Sequence, residues 1–229
     1  MRVHRFFVGE DFKLKQDFWL HDEELLWQWN RVLRFSAGQN VVLFDGVTTD
    51  RLYEIVEISK TEAHLKLKTE LEQNLPKIHI YLLWSLLKKD NNEHILQKCT
   101  ELGVSNFVPI ISERTIRTNF NIDRAKKIIV EASEQCVRSD IHRVREPIPL
   151  TKAIDQYKDK IELIVCDSTS EHQPVIELEK EYGLLIGPEG GWSNSEQELF
   201  NDNYLAHMQL SNHTLRSETA AIVAVSKLL

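Results

Sequence analysis

Two short stretches near the C-terminal end of this 229-residue chain concentrate the residues that could do chemistry. The first, "LLIGPEGGWSNSE", ends an apolar run at Ile186 and passes through Gly187, Pro188, Glu189, Gly190 and Gly191. Glycines permit positive φ and close approach of a ligand to the backbone, and Pro188 stiffens the turn. Ser193 and Glu196 have capping-box spacing, which predicts a helix starting there. The second, "LSNHTLRSETAA", leaves a strand-like run at Leu210, carries Arg216 and Glu218, and enters a final helix around Ser217. Helix N-termini attract anions, but Glu189 would repel a phosphate. Neither the Lys of a P-loop nor the third Gly of GxGxxG stands at the required spacing. A carboxylate among glycines better suits a cationic or hydrogen-donating ligand. Plainer readings stand beside this one: a simple strand-to-helix turn, a surface Arg216–Glu218 ion pair of little energy, and Ser217 as a helix cap.

Other catalytic patterns are missing. There is no HExxH and no GxSxG. The nine histidines show no metal-ligand spacing, so no metal site is expected. Cys99, Cys136 and Cys166 lie far apart without a CxxC, which suits a reducing, cytoplasmic setting rather than a disulfide framework. No apolar run reaches the roughly 20 residues of a membrane span, and the N-terminus has no secretory h-region.

The elements that must position the two loops follow from periodicity. From Lys77 onward, strand patterns ("IHIYLLWSL", "VSNFVPIIS", "IELIVCDS", "YGLLIG", "AHMQLS") alternate with helical ones ("NNEHILQKCTELG", "NIDRAKKIIVEASEQCVR", "NSEQELFND", "SETAAIVAVSKLL"). That alternation predicts a mostly parallel sheet covered by helices, whose ligand sites lie beyond the carboxyl ends of the strands. The first seventy residues read differently. "RVHRFFV" and "QNVVLFDGVTTDRLYEIVEISKTEAHLKLK" are strand-rich, Asp45-Gly46 is a hairpin signal, and a small barrel is expected. Between them, Leu26, Trp29 and Leu33 share one face of a helix that Gly38 should end. The polar, Pro-containing "LEQNLPK" marks a boundary, giving domains 1–72 and 73–229.

The formal net charge is −7, which argues against a uniformly basic nucleic-acid binder. Its distribution is uneven. Ser112–Arg145 holds eight Lys/Arg against five Asp/Glu, a local balance of +3 that leaves −10 to the remainder. A basic face on an acidic body is therefore open.

Taken together, "LLIGPEGGWSNSE" and "LRSETAA" resemble the ribosomal RNA small-subunit methyltransferase E family, of the SPOUT class of S-adenosylmethionine-dependent enzymes. "HRFFV", "RVLR", "LLKKDNNEHILQKCTELGV", "SERT" and "EASEQ" fit the same family in order and spacing along nearly the whole chain. The resemblance implies a PUA-like β-barrel domain followed by an α/β domain whose C-terminal segment forms a trefoil knot. The knot is the cofactor pocket. It would be lined by Ile186, Gly187, Pro188, Glu189, Gly190, Gly191, Leu210, Ser211, Asn212, Leu215, Arg216, Ser217, Glu218 and Thr219. The implied reaction is methylation of uridine N3 in 16S ribosomal RNA. N3 carries a proton that must leave, so a base or stabilisation of the uracil anion is required. Arg216 is the candidate for stabilising that charge. Glu189 and Glu218 are candidates for the base or for orienting Arg216, with a scaffold hydrogen bond as the plainer role of either carboxylate. RNA contacts would come from Arg2, Arg5, Arg31, Arg34, Arg114, Arg117 and Arg138, and the family trait of a homodimer through the C-terminal domain is expected. The alternative is a non-catalytic RNA-binding or ribosome-assembly factor on the same scaffold. The chain departs from the family in three places: Val137 where Gly is usual, Trp192 where Phe is common, and "LLKKDN" in place of Lys-Gly-Asp.

Overall fold

The computed structural model describes residues 3–13, 15–167, 175–177 and 180–229. The chain divides into two compact units, Met1–Leu75 with Ser133–Ile141, and Pro76–Ala132 with His142–Leu229.

The first unit is a five-stranded sheet of β1 (His4–Phe7), β2 (Asp17–Leu20), β3 (Asn40–Phe44), β4 (Asp50–Ile58) and β5 (Ala63–Leu71). The strand order is β1-β3-β4-β5-β2, with β1 parallel to β3 and the other pairings antiparallel. Asp45-Gly46 does make the β3–β4 turn. Gly46 has φ +78°, and the Asp45 carboxylate accepts from the amides of Val47 (2.9 Å) and Thr48 (2.7 Å). This is the Asx geometry that makes Asp-Gly a turn former. The helix between β2 and β3 is shorter than its pattern predicts, and its second half is more widely wound. It comprises α1 (Glu23–Trp27) and a π-helical stretch, Gln28–Leu33, that buries Leu26 and Trp29. It ends not at Gly38 but at Arg34, which is left-handed (φ 54°) and donates its amide to the Trp29 carbonyl. β2 had no clear signal: four residues between polar neighbours are too few to show alternation.

Ser133–Ile141 lies in the α/β half of the sequence yet packs with this first unit. Hydrogen bonds explain why. Ser139 Oγ donates to Asp50 (2.6 Å), Asn74 N donates to Ser139 Oγ (2.8 Å), and Phe7 N donates to Glu134 (2.8 Å). Buried Arg5 reaches Asp50 (2.7 Å) and the Arg138 carbonyl (2.9 Å). Such side-chain links leave no trace in hydrophobic periodicity.

The second unit holds β6 (His79–Ser85), α2 (Lys89–Glu101), β7 (Asn106–Ile111), α3 (Ile122–Cys136, its last turn in the first unit), β8 (Arg143–Val144), β9 (Ile148–Pro149), α4 (Leu150–Tyr157), β10 (Glu162–Asp167), β11 (Glu181–Ile186), α5 (Asn194–Asp202), β12 (Ala206–Gln209) and α6 (Ser217–Ser226). The sheet order is β12-β10-β11-β6-β7-β8, with β9 also on β7, and every pairing is parallel. Its central strands are apolar on both faces, as a doubly covered parallel sheet requires. One core joins Leu83, Val108, Val165 and Leu185 to Ile154, Trp192 and Phe200. Gly183 lets neighbouring strands close on it: a Cβ there would stand 2.5 Å from Leu163 Cδ2 and 2.8 Å from Ile161 Cδ1. After β12, at the sheet edge, the chain returns inward and α6 packs on α2, β11 and β6. Among the described residues no helix is long and apolar enough to cross a membrane.

Candidate functional site

Four adjacent strands, β12, β10, β11 and β6, deliver their carboxyl ends to one cavity of about 870 Å³. The segment Ile186–Trp192 after β11 forms one wall, and Leu210, Ser211 and His213–Glu218 after β12 form another. Two turns distant in sequence therefore face each other across a single space. Of the residues expected there, Asn212 and Thr219 do not line it. Lys88, Asn91, Asp167 and Gln197, which sequence reasoning did not place there, do. Asp167 is the last residue of an apolar strand, and Lys88 and Asn91 stand at a strand-to-helix junction; both positions were legible as strand ends, but not as neighbours of the Gly-rich turn.

The Gly-rich turn is anchored from below by Trp192. Its ring is buried, lies edge-on to Phe200 at 5.0 Å, and passes 3.2 Å from where a Gly187 Cβ would be. Gly191 alone of the three glycines is left-handed (φ +67°). At Gly187 a Cβ would press on the Trp192 ring (3.2 Å), whereas at Gly190 it would meet the Arg114 stem at an ordinary 3.4 Å. The capping box is present as expected. Ser193 Oγ accepts from Glu196 N (3.1 Å) and Ser193 N donates to Glu196 Oε2 (2.8 Å), fixing the start of α5.

The β6–α2 junction is fixed by Asn92, which is buried and fully engaged. Its Oδ1 accepts from Trp84 Nε1 (3.0 Å) and Leu87 N (3.1 Å), and its Nδ2 donates to Leu87 O (2.9 Å). This holds Lys88 and Asn91 at the cavity. Asn91 Nδ2 donates to Glu218 Oε2 at 3.3 Å, tying α2 to the first turn of α6. Arg216 occupies the N-cap position of α6 without a capping bond, and Ser217, proposed as the cap, begins the helix. Among the described residues the Arg216 side chain has neither a hydrogen bond nor an ion pair, its carbonyl alone accepting from Ala220 N (2.8 Å), so the Arg216–Glu218 pair is not formed and neither Glu189 nor Glu218 orients it. Asp167 is held by His207 (Oδ2 to Nδ1, 2.8 Å). Burial, and then the Asp167 charge, push the Cys166 thiol far above its ordinary value, so it is no thiolate nucleophile.

The arginines expected at RNA separate into groups. Arg2 lies outside the described residues. Arg31, Arg34 and Arg117 are exposed. Arg5 and Arg138, also expected at RNA, are buried and engaged, Arg5 with Asp50 and Arg138 with Asp140 (3.0 Å), which leaves neither guanidinium exposed. A guanidinium stays charged when buried, so such partners are needed to offset the cost of removing it from water. Arg114 is exposed, but its Nη1 donates to the carbonyls of Gly190 (2.8 Å) and Trp192 (3.1 Å).

Comparison with known proteins fits this geometry. A family profile described as RNA methyltransferase domain matches residues 73–229, and one described as RNA methyltransferase PUA domain matches residues 31–68. The class is thus that of the two-domain RNA methyltransferases, here with a PUA-like β domain ahead of a mostly parallel α/β methyltransferase domain. The chain is 32% identical over 175 residues to ribosomal RNA small subunit methyltransferase E of Aquifex aeolicus, covering 74% of this chain and 76% of that one. It is 24% identical to the Rickettsia conorii enzyme of the same name, over 99% and 95% of the two chains. The crystal structure of the Neisseria gonorrhoeae ribosomal RNA small subunit methyltransferase E, bound to S-adenosyl methionine, matches with a TM-score of 0.90 at 26% identity, covering 98% of this chain and 96% of that one. The chain belongs to the ribosomal RNA small subunit methyltransferase E family.

Proposed function

We propose that this protein binds S-adenosylmethionine in the cavity between the β11 and β12 turns and methylates N3 of a uridine in 16S ribosomal RNA. The observation that carries the reading is the convergence of those turns on one space, within the roughly 300–1,000 Å³ usual for small-molecule sites. The residues present fit the cofactor. Glycine backbone admits close approach, Asp167, Glu189 and Glu218 offer carboxylates to a cation or to hydroxyls, and Lys88 and Arg216 offer positive charge to a carboxylate. When bound, S-adenosylmethionine supplies an electrophilic methyl group.

The chain's own residues then have three tasks. The Ile186–Gly191 and Leu210–Glu218 backbones orient the donor so that the methyl carbon faces the acceptor. Arg216, without a partner at the cavity, stabilises the negative charge that appears on the uracil oxygens as N3 loses its proton. Glu218, held by Asn91, or Glu189 takes that proton. Residues 1–72 serve as the RNA-binding domain, with Arg31 and Arg34 at phosphates, and Arg117 does so from the second domain. The half-buried Ile222 and Val223 of the otherwise apolar α6 support a homodimer through the C-terminal domain. A cytoplasmic site of action follows from a ribosomal substrate.

The test is mass-spectrometric mapping of ribosomal RNA from cells with and without the gene. Loss of a single N3-methyluridine from 16S RNA, restored by the parent gene but not by Arg216→Ala, is the expected result. An unchanged modification map contradicts the proposal and favours the non-catalytic assembly factor.

A further inference from the structure

Arg114 belongs to "SERT", a turn that touches none of the cavity yet is wired to the loop that forms its wall. The turn itself is closed by its own hydrogen bonds. Ser112 N and Oγ meet Thr115 Oγ1 at 2.9 and 2.8 Å, Thr115 N donates to Ser112 O at 3.1 Å, and Ser112 Oγ donates to the buried Ser85 Oγ (3.0 Å) at the end of β6. From that base, three connections run to residues 190–196. Arg114 Nη1 donates to the Gly190 and Trp192 carbonyls, Glu113 N donates to Glu196 Oε1 (2.9 Å), and Ser195 Oγ donates to Glu113 Oε1 (2.6 Å).

The consequence for the loop is specific. The peptide joining Gly190 to Gly191 is held at both ends: its carbonyl by Arg114, its N–H by the Pro188 carbonyl (2.9 Å). The peptide joining Trp192 to Ser193 is also held at both ends: its carbonyl by Arg114, its N–H by Glu196 (2.8 Å). One guanidinium therefore completes the fixing of two peptide planes on either side of the left-handed Gly191. The Arg114 stem passes directly beside Gly190, at ordinary van der Waals distance (3.4 Å) from where a Cβ would stand. A loop locked before the ligand arrives binds without the cost of ordering it.

We infer that Arg114 is a positioning residue for the cofactor loop: it sets the affinity for S-adenosylmethionine without touching the cavity. The inference rests on the cavity being the S-adenosylmethionine site. The experiment is calorimetric titration of S-adenosylmethionine into the parent, Arg114→Ala, Arg114→Lys and Ser195→Ala proteins, with KM and kcat for methyl transfer and with RNA affinity measured against Arg117→Ala. Arg114→Ala should weaken the cofactor by about tenfold or more, because charge-assisted hydrogen bonds are among the stronger contacts and tenfold needs only the loss of one. The loss should appear in KM for the cofactor and not in kcat at saturation. Lys, which keeps the charge but not the fork, should recover part of it, and Ser195→Ala should weaken binding in the same sense. If Arg114→Ala does not fold, Arg114→Lys carries the comparison. Cofactor affinity within about twofold of the parent, with or without a fall in RNA affinity, overturns the inference. A parent protein that binds no S-adenosylmethionine instead overturns the reading of the cavity, and the inference with it.

Discussion

Val137 sits where its stereochemistry is least comfortable, and replacing it should make the protein more stable. Its φ is +67°, in the left-handed region that a β-branched residue strongly disfavours. The surrounding bonds force that conformation. α3 ends in a Schellman-type closure in which Arg138 N donates to Ser133 O (3.1 Å), with Val137 at the position glycine usually fills. The Val137 carbonyl is held by Asn74 Nδ2 (3.0 Å), and Ser139 and Asn74 exchange two further bonds just beyond. Left-handed strain in an L-residue costs about 1–2 kcal/mol. Glycine regains this but gives up roughly 0.5–1 kcal/mol through the greater freedom of its unfolded chain. Little packing is lost, because Val137 is 38% exposed. Val137→Gly should therefore gain about 0.5–1 kcal/mol, a rise in Tm of about 2–4 °C per kcal/mol for a chain of this size. Val137→Ala keeps the Cβ and the strain and should gain nothing. Urea unfolding followed by circular dichroism, with m-values compared, separates the two. Equal gains from Gly and Ala, or a loss with Gly, would refute the argument from backbone strain.

Three further outcomes follow from single residues. Asn92→Ala strands the Trp84 indole N–H and both backbone groups of Leu87, and should cost about 3 kcal/mol by thermal or urea unfolding, far more than a surface truncation. Gly183→Ala drives a methyl group into Leu163 and Ile161 and should cost about 1–3 kcal/mol, relieved in part when Ile161 is shortened to Val. Glu113 is held below its ordinary 4.5 chiefly by the hydrogen bond from Ser195, then by Ser193. A depressed carboxylate stabilises the fold above its unfolded-state value and loses that contribution as pH falls through the lower folded one. The stability difference between the parent and Glu113→Gln should thus be present at neutral pH and close below pH 4.5.

Much of the α/β half was legible because buried parallel strands read as apolar runs and amphipathic helices as a 3.6-residue period. The first cofactor turn stood out because Gly-Pro-Glu-Gly-Gly breaks such a run abruptly, the second because it carries Arg216 and Glu218 from a strand into the last helix. Short elements escaped: β2 is too brief for a period to emerge, and α4, although Leu150, Ala153, Ile154 and Tyr157 keep helical spacing, stands directly behind Pro147 and Pro149. Long-range polar wiring escaped altogether. Nothing along the chain says that Arg5 and Asp50 form a buried pair, that Ser139 docks beside Asp50, or that Arg114 turns to loop carbonyls 76 and 78 positions away. Arginine type signals charge, while its partner is decided by the fold, which is why the arginines expected at RNA divided into exposed and engaged. Val137 shows the converse. The departure from the usual glycine was visible in the sequence, but only the backbone angle reveals what it costs.

The central claim is that the turns after β11 and β12 grip one S-adenosyl nucleoside between them. A crystal structure of the protein grown with S-adenosylhomocysteine tests it most directly. The account predicts the ligand in the cavity, in contact with both Ile186–Gly191 and the Leu210–Glu218 segment. Ligand bound elsewhere, or touching only one of the two turns, would contradict it.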